Sequence, residues 1–252
     1  MGKKGGLKHL KRKPAPRVWA VERKKYTWIV KPSPGPHPIA QCLPLTLILR
    51  DFLKLAKTAK EAEKIVAQEK VYVDGKIRRD ASYPAGIMDV ITLPEAERSY
   101  RVLPSQKGLI LHPIEKDEAS FKLCRIEDKT TVENANVQLN LHDGTSILVH
   151  VADPKNPSED TYHTLGTLKI NPKTKEILGY IKLVKGAPVL LIGGKNVGKH
   201  GRIIELEERE GQKRRSQLVT MEDKSGNRFQ TTVNMVFVVG ETEPFVSLPE
   251  VK

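Results

Sequence analysis

Gly193, Gly198 and Lys199 fall at the spacing G-x-x-x-x-G-K, that of a loop that wraps nucleotide phosphates. Two neighbouring features point away from nucleotide chemistry. His200 follows Lys199, where a Mg²⁺-binding phosphate loop needs a Ser or Thr hydroxyl. The next residues, Gly201 through Glu207, are β-branched and partly alternating. They predict a strand, not a helix whose N-terminus could hold phosphate. Strand, basic Gly-rich loop and strand make a hairpin that presents Lys195, Asn196, Lys199, His200 and Arg202 to a nucleic-acid backbone. A P-loop nucleotidase is the disfavoured alternative.

Other candidate groups offer little chemistry. The seven histidines show no metal-ligand spacing. His112, His142, His150 and His163 read as ordinary polar positions, and neither metal nor cofactor is expected. Cys42 and Cys124 lie far apart among apolar residues, as two reduced, partly buried thiols in a cytosolic protein would. Asp143 has no basic neighbour in sequence and reads as a turn residue.

The charge is more informative. The 252 residues carry a formal net charge of +13. Residues 1–31 hold eleven Lys and Arg against one acid, Glu22, a local +10, whereas residues 106–185 balance eleven bases against eleven acids. Charge concentrated in this way suits a basic arm for a polyanion. No apolar run of a secretory signal precedes residue 43, and the segment is Lys-rich without the Ser of a transit peptide. No stretch approaches the roughly twenty apolar residues of a membrane span.

The elements that must position these residues divide into four expected regions. Residues 1–42 are a Gly/Pro-rich basic arm, too broken to form a regular element or a core of its own. Trp28, in an apolar run, is expected to pack on the next domain; Trp19 is open between packing and stacking on an RNA base. Residues 43–105 read as a compact domain. Leu45, Ile48, Leu49, Phe52, Leu53 and Ala56 form a helical stripe, with Arg50, Lys54 and Lys57 on another face. Thr58 and Glu61 form a capping box for a second helix, and Asp74-Gly75 predicts a hairpin turn. Together these bring Arg50, Lys54, Lys57, Lys60, Lys76, Arg78 and Arg79 toward one side. Residues 106–185 are expected to be all-β, with turns at His142–Thr145 and Asn171–Thr174. Residues 186–252 continue as short strands, with turns at Gly211 and Ser225–Asn227, and suggest a small SH3-like barrel with a tail.

Residues 43–105 resemble the α-L RNA-binding module, through Arg50-Asp51-Phe52-Leu53, the Thr58–Ala62 cap, Val71-x-Val73-Asp74-Gly75-Lys76 and Asp89-Val90-Ile91. Residues 189–206 resemble a KOW hairpin. The order of parts is narrower: Lys8–Arg12, Pro32–His37, Tyr83–Ile91 and Phe229–Gly240 resemble the archaeal and eukaryotic small-subunit ribosomal protein family S4e, end to end. Lys195 and Lys199 stand where many relatives carry Arg, which keeps charge but loses bidentate phosphate geometry. The short tail after Gly240 fits the archaeal branch better than the longer eukaryotic chains.

The resemblance implies an α+β multidomain fold: a small α-L domain, an all-β central domain and a C-terminal SH3-like KOW barrel. It implies a non-enzymatic constituent of the cytoplasmic ribosome, bound to small-subunit rRNA beside other ribosomal proteins, without membrane or small-molecule substrate. The RNA-facing set expected in the arm is Lys3, Lys4, Lys8, Lys11, Arg12, Lys13 and Arg17. An RNA-modifying enzyme with an α-L handle is disfavoured. Its catalytic strand would read Gly-Arg-Leu-Asp, and Leu49-Arg50-Asp51 sits in a predicted helix.

Overall fold

The computed structural model describes residues 8–151, 160–207, 216–223 and 225–249. Their regular elements are mostly β-strands, with a few short helical pieces. In the arm, β1 (Leu10–Lys11) pairs antiparallel with β2 (Trp28–Ile29). The Pro-rich loop between them is held by guanidinium groups, which supply the donors that its carbonyls need. Arg23 donates to the carbonyls of Arg12, Ala15 and Pro16. Arg12, itself buried, donates to that of Glu22 at 2.8 Å. The expected role of Trp28 is reversed. Strand alternation turns Ile29 inward and leaves Trp28 56% exposed. Trp19 is the buried indole, donating from Nε1 to the Cys42 carbonyl at 2.7 Å. Ala15, Trp19 and Ile29 thereby enter the main hydrophobic cluster, so the arm shares a core that its composition did not foretell.

β3 (Cys42–Pro44) leads into α1 (Leu45–Leu47), where the expected long helix is cut short. Ile48–Phe52 opens into a π-helical turn, the Leu53 N–H donating to the Ile48 carbonyl at 2.9 Å. Lys54 then takes a left-handed φ of 55°. Tertiary packing overrides the helical period: every residue of 45–49 is buried, so the stretch is enclosed instead of striped. α2 (Ala59–Ala67) begins at the expected capping box, Thr58 Oγ1 accepting the Glu61 N–H at 3.2 Å and Glu61 accepting the Thr58 N–H at 3.3 Å. β4 (Tyr72–Val73) and β5 (Lys76–Ile77) flank the Asp74-Gly75 turn, whose φ values of 53° and 70° are those that a type I′ turn requires.

β6 (Pro84–Gly86) pairs with β3, while β7 (Val90–Leu93), β8 (Arg98–Ser105) and β9 (Gly108–Ile114) extend the hairpin into a sheet ordered β5-β4-β7-β8-β9. The β8–β9 hairpin straddles residue 105. A second sheet runs β12-β11-β10-β13-β14. It comprises β10 (Lys122–Thr131), β11 (Val137–Leu141), β12 (Ser146–Val149), β13 (Thr167–Ile170) and β14 (Ile177–Ile181), around a small core of Cys124, Ile126, Leu139 and Leu168. The third contains β15 (Pro188–Leu191), β16 (His200–Glu207), β17 (Leu218–Asp223), β18 (Arg228–Thr232) and β19 (Val236–Val238), in the order β18-β17-β16-β15-β19. Its Val189, Leu190, Phe237 and Val238 join the main cluster. Turns lie where expected at His142–Thr145 and Ser225–Asn227, with φ of 72° at Gly144 and 79° at Gly226. The turn expected at Gly211 lies outside the described residues.

A buried ionic cluster ties these parts together. Lys122 Nζ on β10 lies 2.8 Å from Asp74, 2.6 Å from Asp89 and 2.9 Å from Asp143. His37 Nε2, from the arm, reaches both oxygens of Asp89 at 3.0 Å. Asp143 is therefore not a plain turn residue: it accepts from Thr145, as a turn Asp does, and also binds the lysine. Its basic partner was invisible because Lys122 sits 21 positions away. Burial alone would raise the Asp89 and Asp143 carboxyls; Lys122 and a neighbouring histidine reverse this and hold both below the usual range. Burial and the Asp89 charge push Asp74 up.

His142 is likewise more than an ordinary polar position. Its Nδ1 accepts the Arg125 N–H at 3.2 Å and its Nε2 meets the Ile87 carbonyl at 3.1 Å, a neutral pattern that a second proton would break. Burial, then Lys122, lower its pKa from 6.5 to about 4. The unfolded chain therefore binds more protons across that window, and stability falls as pH drops from 6.5 to about 4. A loss on the order of 2–3 kcal/mol is expected. Urea midpoints measured against pH should show it, with a flatter decline in His142→Gln.

Candidate nucleic-acid interface

The Gly-rich loop is closed by backbone bonds, Leu191 N–H to the Lys199 carbonyl at 2.9 Å and Gly198 N–H to the Leu191 carbonyl at 2.8 Å. Strand β16 follows at once, so the loop does not lead into a helix. Gly198 has a φ of 81°, and a Cβ there would come within 2.5 Å of the Ser105 Cα. Only glycine lets the loop seat on the end of the β8–β9 hairpin. Lys195 and Arg202 are exposed, Arg202 donating to the Thr242 carbonyl at 3.1 Å. Lys199 is half-buried, its ammonium 3.9 Å from the Phe229 ring centroid; Asn196 and His200 are half-buried too.

The bases of residues 43–105 border separate hollows. Arg50, Lys54 and Lys57 line a groove of about 850 Å³ with Lys25, Tyr26 and Trp28 of the arm. Arg50 pairs with Asp51 through two bonds of 2.8 and 2.9 Å. Lys76 and Arg78 instead border a different hollow, beside Asp74, Lys122 and Lys175, with Arg78 4.1 Å from the Tyr83 ring centroid. Arg79 is paired with Glu69 at 2.6 Å, and Lys60 is exposed on α2. Lys76 lies on β5, the edge strand of the sheet, which β4 separates from β7.

In the arm, Lys8, Lys11, Lys13 and Arg17 are exposed, whereas Arg12 is turned inward to hold the loop's carbonyls. Lys3 and Lys4 lie outside the described residues. Lys11, Lys13, Arg23, Lys24, Lys25 and Tyr26 line a further hollow of about 650 Å³, which shares Lys25 and Tyr26 with the larger groove. Arg23, Lys24, Lys25, Tyr26 and Trp28 were not among the expected site residues. Their signal was the interleaving of bases and aromatics over 23–28.

Comparison with known proteins bears on this arrangement. The profile described as RS4NT (NUC023) domain matches residues 4–40, the S4 domain profile matches 48–91, and that of ribosomal family S4e matches 96–177. The small ribosomal subunit protein eS4 of Desulfurococcus amylolyticus is 49% identical over 251 residues, covering 99% of each chain. The chain belongs to the S4e family. The eS4 protein of Staphylothermus marinus is 50% identical over the same length, again covering 99% of both chains. Among solved structures, the 30S ribosomal protein S4e from Thermoplasma acidophilum is similar, with a TM-score of 0.66 and 29% identity. That match covers 82% of this chain and 99% of the other. In this S4e chain, the first groove joins the RS4NT-matching segment to the S4-matching one.

Proposed function

We propose that this chain is a structural, non-catalytic constituent of the small ribosomal subunit in the cytoplasm, binding small-subunit rRNA and supporting subunit assembly beside other ribosomal proteins. The end-to-end match to proteins named small ribosomal subunit protein eS4 carries this reading. The basic grooves and hairpin supply the chemistry. Phosphate contacts release counterions, so exposed lysines and arginines on the arm, on α2 and at the hairpin give affinity that falls steeply with salt. The arm (1–42), the α-L domain (43–105), the central β domain (106–185) and a KOW barrel of SH3 type (186–252) are the proposed units. The order β18-β17-β16-β15-β19 supports the last of these.

Lys199 discriminates this reading from a nucleotidase. With Lys199→Ala, the slope of log K against log salt for small-subunit rRNA should fall by about one unit, the value of a single phosphate contact. The wild-type protein with Mg²⁺ should show no ATP or GTP binding. Micromolar nucleotide affinity that depends on Lys199 would refute the proposal, since a phosphate-loop lysine holds the β- and γ-phosphates.

A further inference from the structure

We propose that the two hollows meeting at Tyr26 form a binding site for an unpaired RNA nucleotide together with the phosphates on either side of it. This rests on the rRNA-binding reading and specifies the RNA structure that the arm takes. Tyr26 is 62% exposed, and the Arg12 guanidinium sits 5.2 Å from its ring centroid. A cation thus lies against the ring while much of its surface stays open. Arg12 is itself fixed by the Glu22 carbonyl, so the platform is in place before any ligand arrives. Trp28, also exposed, has Lys11 Nζ 5.7 Å from its centroid and the His9 ring packed edge-on at 5.8 Å.

Cations line both hollows that share Tyr26. Lys13 and Lys24 lie in one hollow, Lys54 and Lys57 in the other. The acids nearby are already engaged, Glu22 with Lys25 at 3.1 Å and Asp51 with Arg50. A fully paired helix could use the cations, but its base faces are stacked inside and give the two rings no partner. A base splayed out of its helix offers a face to stack, while its neighbouring phosphates reach the lysines. At about 850 Å³, the larger groove admits more than a phosphate group.

The test uses the full-length protein and two labelled RNA hairpins, one perfectly paired and one carrying a single bulged adenosine. Wild-type protein should prefer the bulged hairpin. Because both rings are exposed, Tyr26→Ala and Trp28→Ala should leave the fold intact. Tyr26→Ala should weaken the bulged complex roughly tenfold, the scale of one base–aromatic stack, with the salt slope and the paired complex unchanged. Lys54→Gln should weaken both complexes and lower both slopes by about one. Equal wild-type affinity for the two hairpins, or unchanged bulge binding in both aromatic variants, would overturn the nucleotide site while leaving rRNA binding standing. Failure of the wild type to bind either hairpin would overturn both.

Discussion

Lys122→Met should destabilise the protein by about 3–5 kcal/mol, a large share of the roughly 5–15 kcal/mol that holds a typical protein folded. The methionine fills much of the volume but leaves Asp74, Asp89 and Asp143 without the ammonium that joins all three. Water can approach from the Asp74 side but not reach Asp89, since the Lys122 and Asp89 side chains are 4% and 1% exposed against 18% for Asp74. The urea midpoint should fall with the denaturant slope unchanged. Adding Asp74→Asn should restore part of the loss, since that carboxylate is already the one pushed toward protonation. A shift below about 1 kcal/mol would show that the cluster is relieved by other means.

Trp19→Ala should cost about 3–5 kcal/mol through the cavity that it opens, plus the lost donor to the Cys42 carbonyl. Its particular consequence concerns the arm. Trp19 is the large side chain fixing the 10–29 segment to the domain that follows, with the Val18 carbonyl accepting the Leu109 N–H at 2.8 Å beside it. Trypsin should therefore cut near Lys24 and Lys25 much faster in this variant than in the wild type. Trp19→Phe separates the two contributions: burial is largely kept and only the hydrogen bond is lost. Unchanged cutting rates in Trp19→Ala would show that the arm is held elsewhere.

The parts legible from sequence were those governed by neighbours in the chain. The Thr58–Glu61 cap, the Asp74-Gly75 turn and the strand after Lys199 each depend on residues within a few positions, and each is present. What escaped depends on partners far along the chain. Asp143 carried no local sign of Lys122, and Arg12 none of the Glu22 carbonyl that draws it inward. Trp28 faces outward because strand parity, set by pairing with β1, decides which of Trp28 and Ile29 faces the core, and Trp19, open between two roles in the sequence, is the buried indole. The helix from Leu45 is shorter than its apolar stripe suggests, since such a stripe does not reveal that the residues between are buried as well.

The lysine-centred cluster also bears on behaviour with temperature. Stripping water from charged groups is costly at room temperature, and that penalty shrinks on heating because their hydration carries a strongly negative entropy. Hydrophobic burial per unit area gains no comparable advantage, having levelled off. A fold whose arm, first sheet and second sheet are clasped by His37, Asp74, Asp89, Lys122 and Asp143 thus has its ties between parts strengthen, relative to its apolar cores, as the solution warms.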